Sequence, residues 1–174
     1  MKKKTEKVTT FLEDLHNHIV GNPQFRHDTR TKSESQVQTE IRPLIISYLE
    51  KYFGKAGYKD TEAKAIKSFY WEGQEGKYGK DRSATFGSRN YPDFIIMEPY
   101  LVAVEYKQSE YGSNVKHGIG QSLMHTLCEE FHYVYFLFHD QNKDKRIEKS
   151  INNEKETYII NKIWDGFNVM IKFV

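Results

Sequence analysis

Tyr91-Pro92-Asp93-Phe94-Ile95-Ile96-Met97-Glu98-Pro99-Tyr100-Leu101-Val102-Ala103-Val104-Glu105-Tyr106-Lys107 joins two apolar runs through a proline-bearing turn, with an acid before the first run and an acid-x-lysine triplet ending the second. Residues 94–97 and 101–104 are short and rich in β-branched side chains, and Glu98-Pro99-Tyr100 suits a three-residue hairpin loop. Side chains alternate along a strand, so Glu105 and Lys107, two apart, point to the same side. Folding about Pro99 sets Asp93 opposite Glu105. Carboxylates facing each other across an antiparallel pair have β-carbons roughly 4.5–5.5 Å apart and repel unless a cation sits between them. Hard oxygen ligands of this kind suit magnesium or manganese, which keep several waters and can also take a phosphate oxygen. Lys107 would then meet the phosphate or the attacking water.

At Pro92-Asp93 and Glu105-Tyr106-Lys107 the chain resembles the PD-(D/E)XK nuclease superfamily, the fold of many restriction endonucleases, Holliday junction resolvases and recombination exonucleases. The resemblance implies an α/β (α+β) fold with a restriction endonuclease-like core: a mixed central β-sheet flanked by helices, in the order αβββαβ with a trailing αβ. It also implies Mg²⁺-dependent hydrolysis of DNA to 5′-phosphate products, with Mn²⁺ able to substitute. Asp93 and Glu105 would be metal ligands and Lys107 catalytic. Cutting both strands of a duplex usually needs two such sites about a two-fold axis, so a homodimer is expected.

Upstream, Val37, Ile41, Leu44, Ile45, Tyr48, Leu49 and Tyr52 form one apolar stripe of an amphipathic helix. Glu40, three after Val37 and four before Leu44, lies at the edge of that stripe, where its carboxylate could look toward the sheet. The superfamily often has a Glu there, as a further metal ligand or its hydrogen-bond partner. Equally, Glu40 could be a first-turn acid favoured by the helix dipole. Pro43 means that the helix either starts near Glu40 or kinks there.

Downstream, Gly118-Ile119-Gly120-Gln121-Ser122-Leu123-Met124-His125 reads as a glycine-flanked helix start, with Leu123, Leu127 and Phe131 toward the core. In the superfamily this helix commonly carries a Gln followed four later by an aromatic residue, both facing the metal site. Gln121 fits that place and His125 takes the aromatic one. A Gln at a helix N-terminus can bond the attacking water or a phosphate; the alternative is an ordinary first-turn polar residue and a core-edge histidine.

The chain has 174 residues, enough for a single domain over 1–174 without disulfides, with 1–34 as an N-terminal helical extension. Cys128 is the one cysteine, which points to a reducing compartment and supports no zinc site alone. His16 and His18 do not share a helical face, and the other histidines lack ligand spacing. No apolar run approaches transmembrane length and the N-terminus lacks the apolar stretch of a signal peptide, so a cytoplasmic protein is expected.

Net charge is only +2, so a nucleic-acid surface must be a local patch. Residues 72–90 carry Lys77, Lys80, Arg82 and Arg89 among four glycines just before Pro92. They read either as a solvated loop or as a loop gripping backbone phosphates, with Asn90 or Ser88 as a further donor. The expected layout is a helix over 9–20, a polar connection to about Ser35, the amphipathic helix to Tyr52, a strand over 63–71, the glycine-rich loop, strands over 91–97 and 101–107, the Gln121 helix, a strand over 133–138, a polar helix over 145–163 and a strand over 167–173. Two alternatives stay open: a nuclease-like nucleic-acid-binding module or subunit without catalysis, and a nuclease acting on RNA.

Overall fold

The computed structural model describes residues 6–23, 25, 31–72, 74, 84–85, 88–89, 91–128 and 130–174, and the side chains of all these except residues 84–85 and 88–89. In chain order the elements are α1 (Glu6–Gly21), α2 (Glu34–Lys55), α3 (Thr61–Lys67), β1 (Phe69–Trp71), β2 (Ala84–Thr85), β3 (Ser88–Arg89), β4 (Phe94–Ile96), β5 (Val102–Ser109), α4 (Gly112–Leu127), β6 (Tyr133–Asp140), α5 (Arg146–Ser150), α6 (Glu154–Phe167) and β7 (Val169–Phe173). The protein is mixed α/β, with a five-stranded mixed sheet in the order β1-β4-β5-β6-β7 and helices on both faces. Strands β1, β4 and β5 are antiparallel neighbours, whereas β5, β6 and β7 run parallel. Strand β5 is therefore the seam between the two modes. Every residue of β6 is buried, as a strand covered on both faces requires, and its sequence Tyr-Val-Tyr-Phe-Leu-Phe does not alternate.

One face packs on α1 and α2. Helix α1 contributes Val8, Phe11, Leu12, Leu15 and Ile19 to the same core as Val102, Val104, Tyr106 and Tyr135 of the sheet. Helix α2 opens on a capping box: the Ser33 hydroxyl accepts the Gln36 N–H, and the Gln36 side chain accepts the Ser33 N–H. The helix therefore starts six residues before Glu40 and runs through the exposed Pro43, where a missing donor faces solvent. The opposite face, lined by Ala103, Val134, Phe136 and Phe138, is covered by α4 and α6.

Several boundaries differ from the sequence reading, each for a local reason. Residues 63–71 are not one strand: the Asp60 carboxylate caps Ala63 and starts α3, leaving three residues for β1. The hairpin connection spans residues 97–101, because Glu98 turns outward to Lys64 (2.6 Å) and Tyr100 packs edge-on against Phe11. The polar helix breaks into α5 and α6, since Asn153 caps a new start through the Glu156 N–H. Asp140, wholly buried, accepts the N–H groups of Asn142, Ile147 and Glu148 and so ties the end of β6 to α5. Among the described residues no helix is long and apolar enough to cross a membrane.

The largest difference concerns α4, which begins at Gly112 and not beside Gly118. Gly118 sits in the middle of the helix at its closest approach to the sheet. A β-carbon there would stand 2.6 Å from Cε2 of the buried Phe136 ring and closer still to Cζ. The glycine is a packing requirement, not a helix boundary. Leu127, expected in the core, is exposed, and the buried face of α4 is instead Gly118, Ser122, His125 and Thr126. Gly118→Ala is expected to lower unfolding free energy by about 1–3 kcal/mol through overpacking. Gly120→Ala, two residues on with open space around it, should raise it by up to about 1 kcal/mol through helix propensity. Urea unfolding of both variants checks the pair; equal effects of the same sign would show that Gly118 is not in tight contact.

Candidate active site

The register Phe94↔Val104, carried one residue further, sets Asp93 opposite Glu105 at the start of β4. Parity then puts Asp93, Glu105 and Lys107 on the α4 face of the sheet, with Ile95 and Ala103. Asp93 is 8% exposed and Glu105 2%, and the two carboxyl groups lie close enough for the Glu105 charge to act on Asp93. Asp93 Oδ2 also accepts the Tyr106 backbone N–H at 2.7 Å, which locks it to the strand that carries Glu105.

Three further groups close on this pair. His125, on α4 and fully buried, places Nε2 2.5 Å from Glu105 Oε1, with Phe131 edge-on to its ring. Lys107 Nζ donates to Glu34 Oε1 at 2.9 Å; Glu34 is the first residue of α2. Gln108 Nε2 donates to the Lys32 carbonyl at 2.6 Å, fastening the start of α2 to the end of β5 and so holding Glu34 in reach. The Lys107–Glu34 pair is only partly buried, so the site opens at that end.

The electrostatics follow from burial. Desolvation raises the Asp93 carboxyl to about 8, with the Glu105 charge adding to it and the Tyr106 N–H and Lys107 working against it. Desolvation likewise raises Glu105 to about 8, opposed by Lys107 and reinforced by Glu34 and Glu72. Without a cation the pair therefore holds protons near neutrality. Burial works against the Lys107 charge, but the bond to Glu34 and the charges of Asp93 and Glu105 outweigh it, so Lys107 stays an ammonium group above its ordinary range.

Among the described residues no group of three or more His, Cys, Asp or Glu is arranged to hold a metal ion. Asp93 and Glu105 thus offer a two-carboxylate oxygen set, which fits Mg²⁺, an ion commonly held by one or two carboxylates with waters and substrate oxygens completing its shell. Of the residues singled out in the sequence, Asp93, Glu105 and Lys107 are brought together. Glu40 is engaged by Lys32 at 2.6 Å, and Glu34 stands beside Lys107. Gln121 lies in mid-helix, one turn before His125, so the helix-terminus argument for it does not apply. Lys77, Lys80, Arg82 and Asn90 lie outside the described residues, and for Arg89 only the backbone, paired with Ala84 in the β2–β3 ribbon, is described.

Glu34 and the contact of His125 with Glu105 went unread in the sequence. Glu34 was detectable: Ser33-x-x-Gln36 marks a helix start, and Glu34 lies three before Val37 and seven before Ile41, on the apolar stripe.

Because the folded pair binds protons that free carboxyls release near pH 4, the native state binds more protons than the unfolded chain between about pH 4 and 8. Its stabilising contribution is full below the unfolded values and is lost as pH rises through 8. In EDTA, wild-type melting temperature should fall across pH 6–9 relative to Asp93→Asn. At pH 9 the variant is expected to be the more stable by about 1–3 kcal/mol. Parallel pH curves for the two proteins would rule out the coupled acid pair.

Compared with protein-family models, with curated proteins and with solved structures, the chain finds no match in any of the three.

Proposed function

We propose that the chain is an Mg²⁺-dependent DNA endonuclease with a restriction endonuclease-like core, cutting phosphodiester bonds to leave 5′-phosphates. The observation that carries this reading is the buried Asp93–Glu105 pair with Lys107 two residues along the same strand face. The order α2-β1-β4-β5-α4-β6 with trailing α6-β7, and the antiparallel-to-parallel seam at β5, support it.

Asp93 and Glu105 would hold the ion in place of the protons that burial otherwise makes them retain. Bound there, Mg²⁺ supplies a more acidic water and neutralises charge growing on the phosphate. Lys107 enters as a cation, so its role is to stabilise phosphate charge and not to remove a proton. Glu34 parks the Lys107 ammonium at the open end of the site and yields it to an arriving phosphate. The basic stretch with Lys77, Lys80, Arg82 and Arg89 precedes Pro92 directly and would grip the DNA backbone. A homodimer would place two sites on the two strands.

The depth of the acids favours a second reading, a nuclease-like binding module whose acidic pair is structural. Incubation with supercoiled, linear, branched and single-stranded DNA and with RNA, in Mg²⁺, Mn²⁺ or EDTA, separates the two. Cleavage should require a divalent ion, fall to background in Glu105→Gln, and drop on the order of 10²–10³-fold in Lys107→Ala. Absence of cleavage with either metal leaves the binding module, whereas an undiminished Lys107→Ala overturns the catalytic assignment of Lys107. Cleavage of RNA alone moves the substrate class.

A further inference from the structure

His125 reaches the acid pair from α4, and its position is costly to arrange. The helix must come close enough for Gly118 to lie on the Phe136 ring, and Ser122, one turn on, is equally buried. The same close approach carries His125, seven residues after Gly118 and on the same helical face, onto Glu105. Phe131 stands edge-on to the imidazole and fixes its plane. The Glu105 carboxyl group thus has Oε1 engaged by His125, while the strand register sets Asp93 opposite it.

We propose that His125 is a positioning residue that takes one oxygen of Glu105 by donating its Nε2–H, so that Glu105 offers a single oxygen to a cation beside Asp93. This rests on the metal-binding reading above and sets which cation the site prefers. Ca²⁺ gathers six to eight oxygens and readily takes both oxygens of one carboxylate, whereas Mg²⁺ and Mn²⁺ suit fewer, singly bound ones. A carboxylate with one oxygen already engaged favours the smaller ions. Release of that oxygen should let Glu105 turn and bind with both. Carboxylates that bind metals are generally oriented by such partners, whose loss costs about 10–100-fold in metal affinity.

The test is calorimetric titration of the metal-free, full-length protein with MnCl₂ and with CaCl₂, with circular dichroism to confirm folding. His125→Phe keeps the aromatic volume but has no donor. It should bind Mn²⁺ about 10-fold or more weakly and lose most of the Mn²⁺-over-Ca²⁺ preference. His125→Gln sets its amide nitrogen near the position of Nε2 and should keep the wild-type ratio. His125→Asn, whose amide reaches only the Nδ1 position, should behave like His125→Phe. Should His125→Phe fail to fold, the contrast between Gln and Asn decides alone. Equal Mn²⁺ and Ca²⁺ affinities, within twofold, across wild type, Gln and Asn would overturn the positioning role while leaving the metal site standing. Failure of the wild type to bind either ion would overturn the metal reading and this inference with it.

Discussion

Two carboxyl groups set opposite each other across a strand pair, both shielded from water, oppose folding, and the arrangement around Asp93 and Glu105 offsets that conflict at each point. The β4–β5 register creates the contact, because Phe94 cannot pair with Val104 without setting Asp93 against Glu105. The Tyr106 N–H and His125 satisfy oxygens that burial leaves without water. Lys107 brings a compensating charge, and Glu34 keeps that charge in place. The energy that tolerates this comes from the apolar layers on either side, where β6 is buried along its whole length and α1 and α2 close the far face. A group of this kind persists where the surrounding structure over-determines it.

The position of α4 shows how one small residue serves the site at a distance. Had the helix carried a β-carbon at residue 118, Phe136 would hold it off the sheet, and His125 could not meet Glu105. Strand β6 is thus both a core strand and the template that sets the height of α4. Asp140 works in the same sense at the end of that strand: burial opposes its charge, but the backbone donors of Glu148, Asn142 and Ile147 outweigh it and hold it below the ordinary carboxylate range.

What could be read from residues alone was what depends on short-range period. The strand alternation placed Asp93, Glu105 and Lys107 on one face, and the 3.6-residue ladder from Val37 to Leu49 marked the helix that covers the other. What escaped was set by tertiary contact or by a cap overlooked. Gly118 and Gly120 are indistinguishable as letters, yet one lies on an aromatic ring and the other in open space. Asp60 decides where α3 begins, and the Ser33 cap sets Glu34 in the first turn of α2, where it meets Lys107. The mid-helix setting of Gln121 follows from the same unseen start of α4.

Strand β5 also orders the site in depth. On its α4 face Ala103 is fully enclosed, Glu105 is almost so, and Lys107 is partly open. The cause is topological: a parallel crossover from β5 to β6 must lay its helix over that face, and the cover ends where the helix begins, beyond Ser109. The acids therefore sit under the helix while the lysine sits near its mouth. The ammonium group thus lies between solvent and the buried carboxyl groups. The sequence Glu-x-Lys is thus a short gradient from a dry, proton-retaining interior to a cationic entrance, and the two-residue period of a strand is what converts it into one.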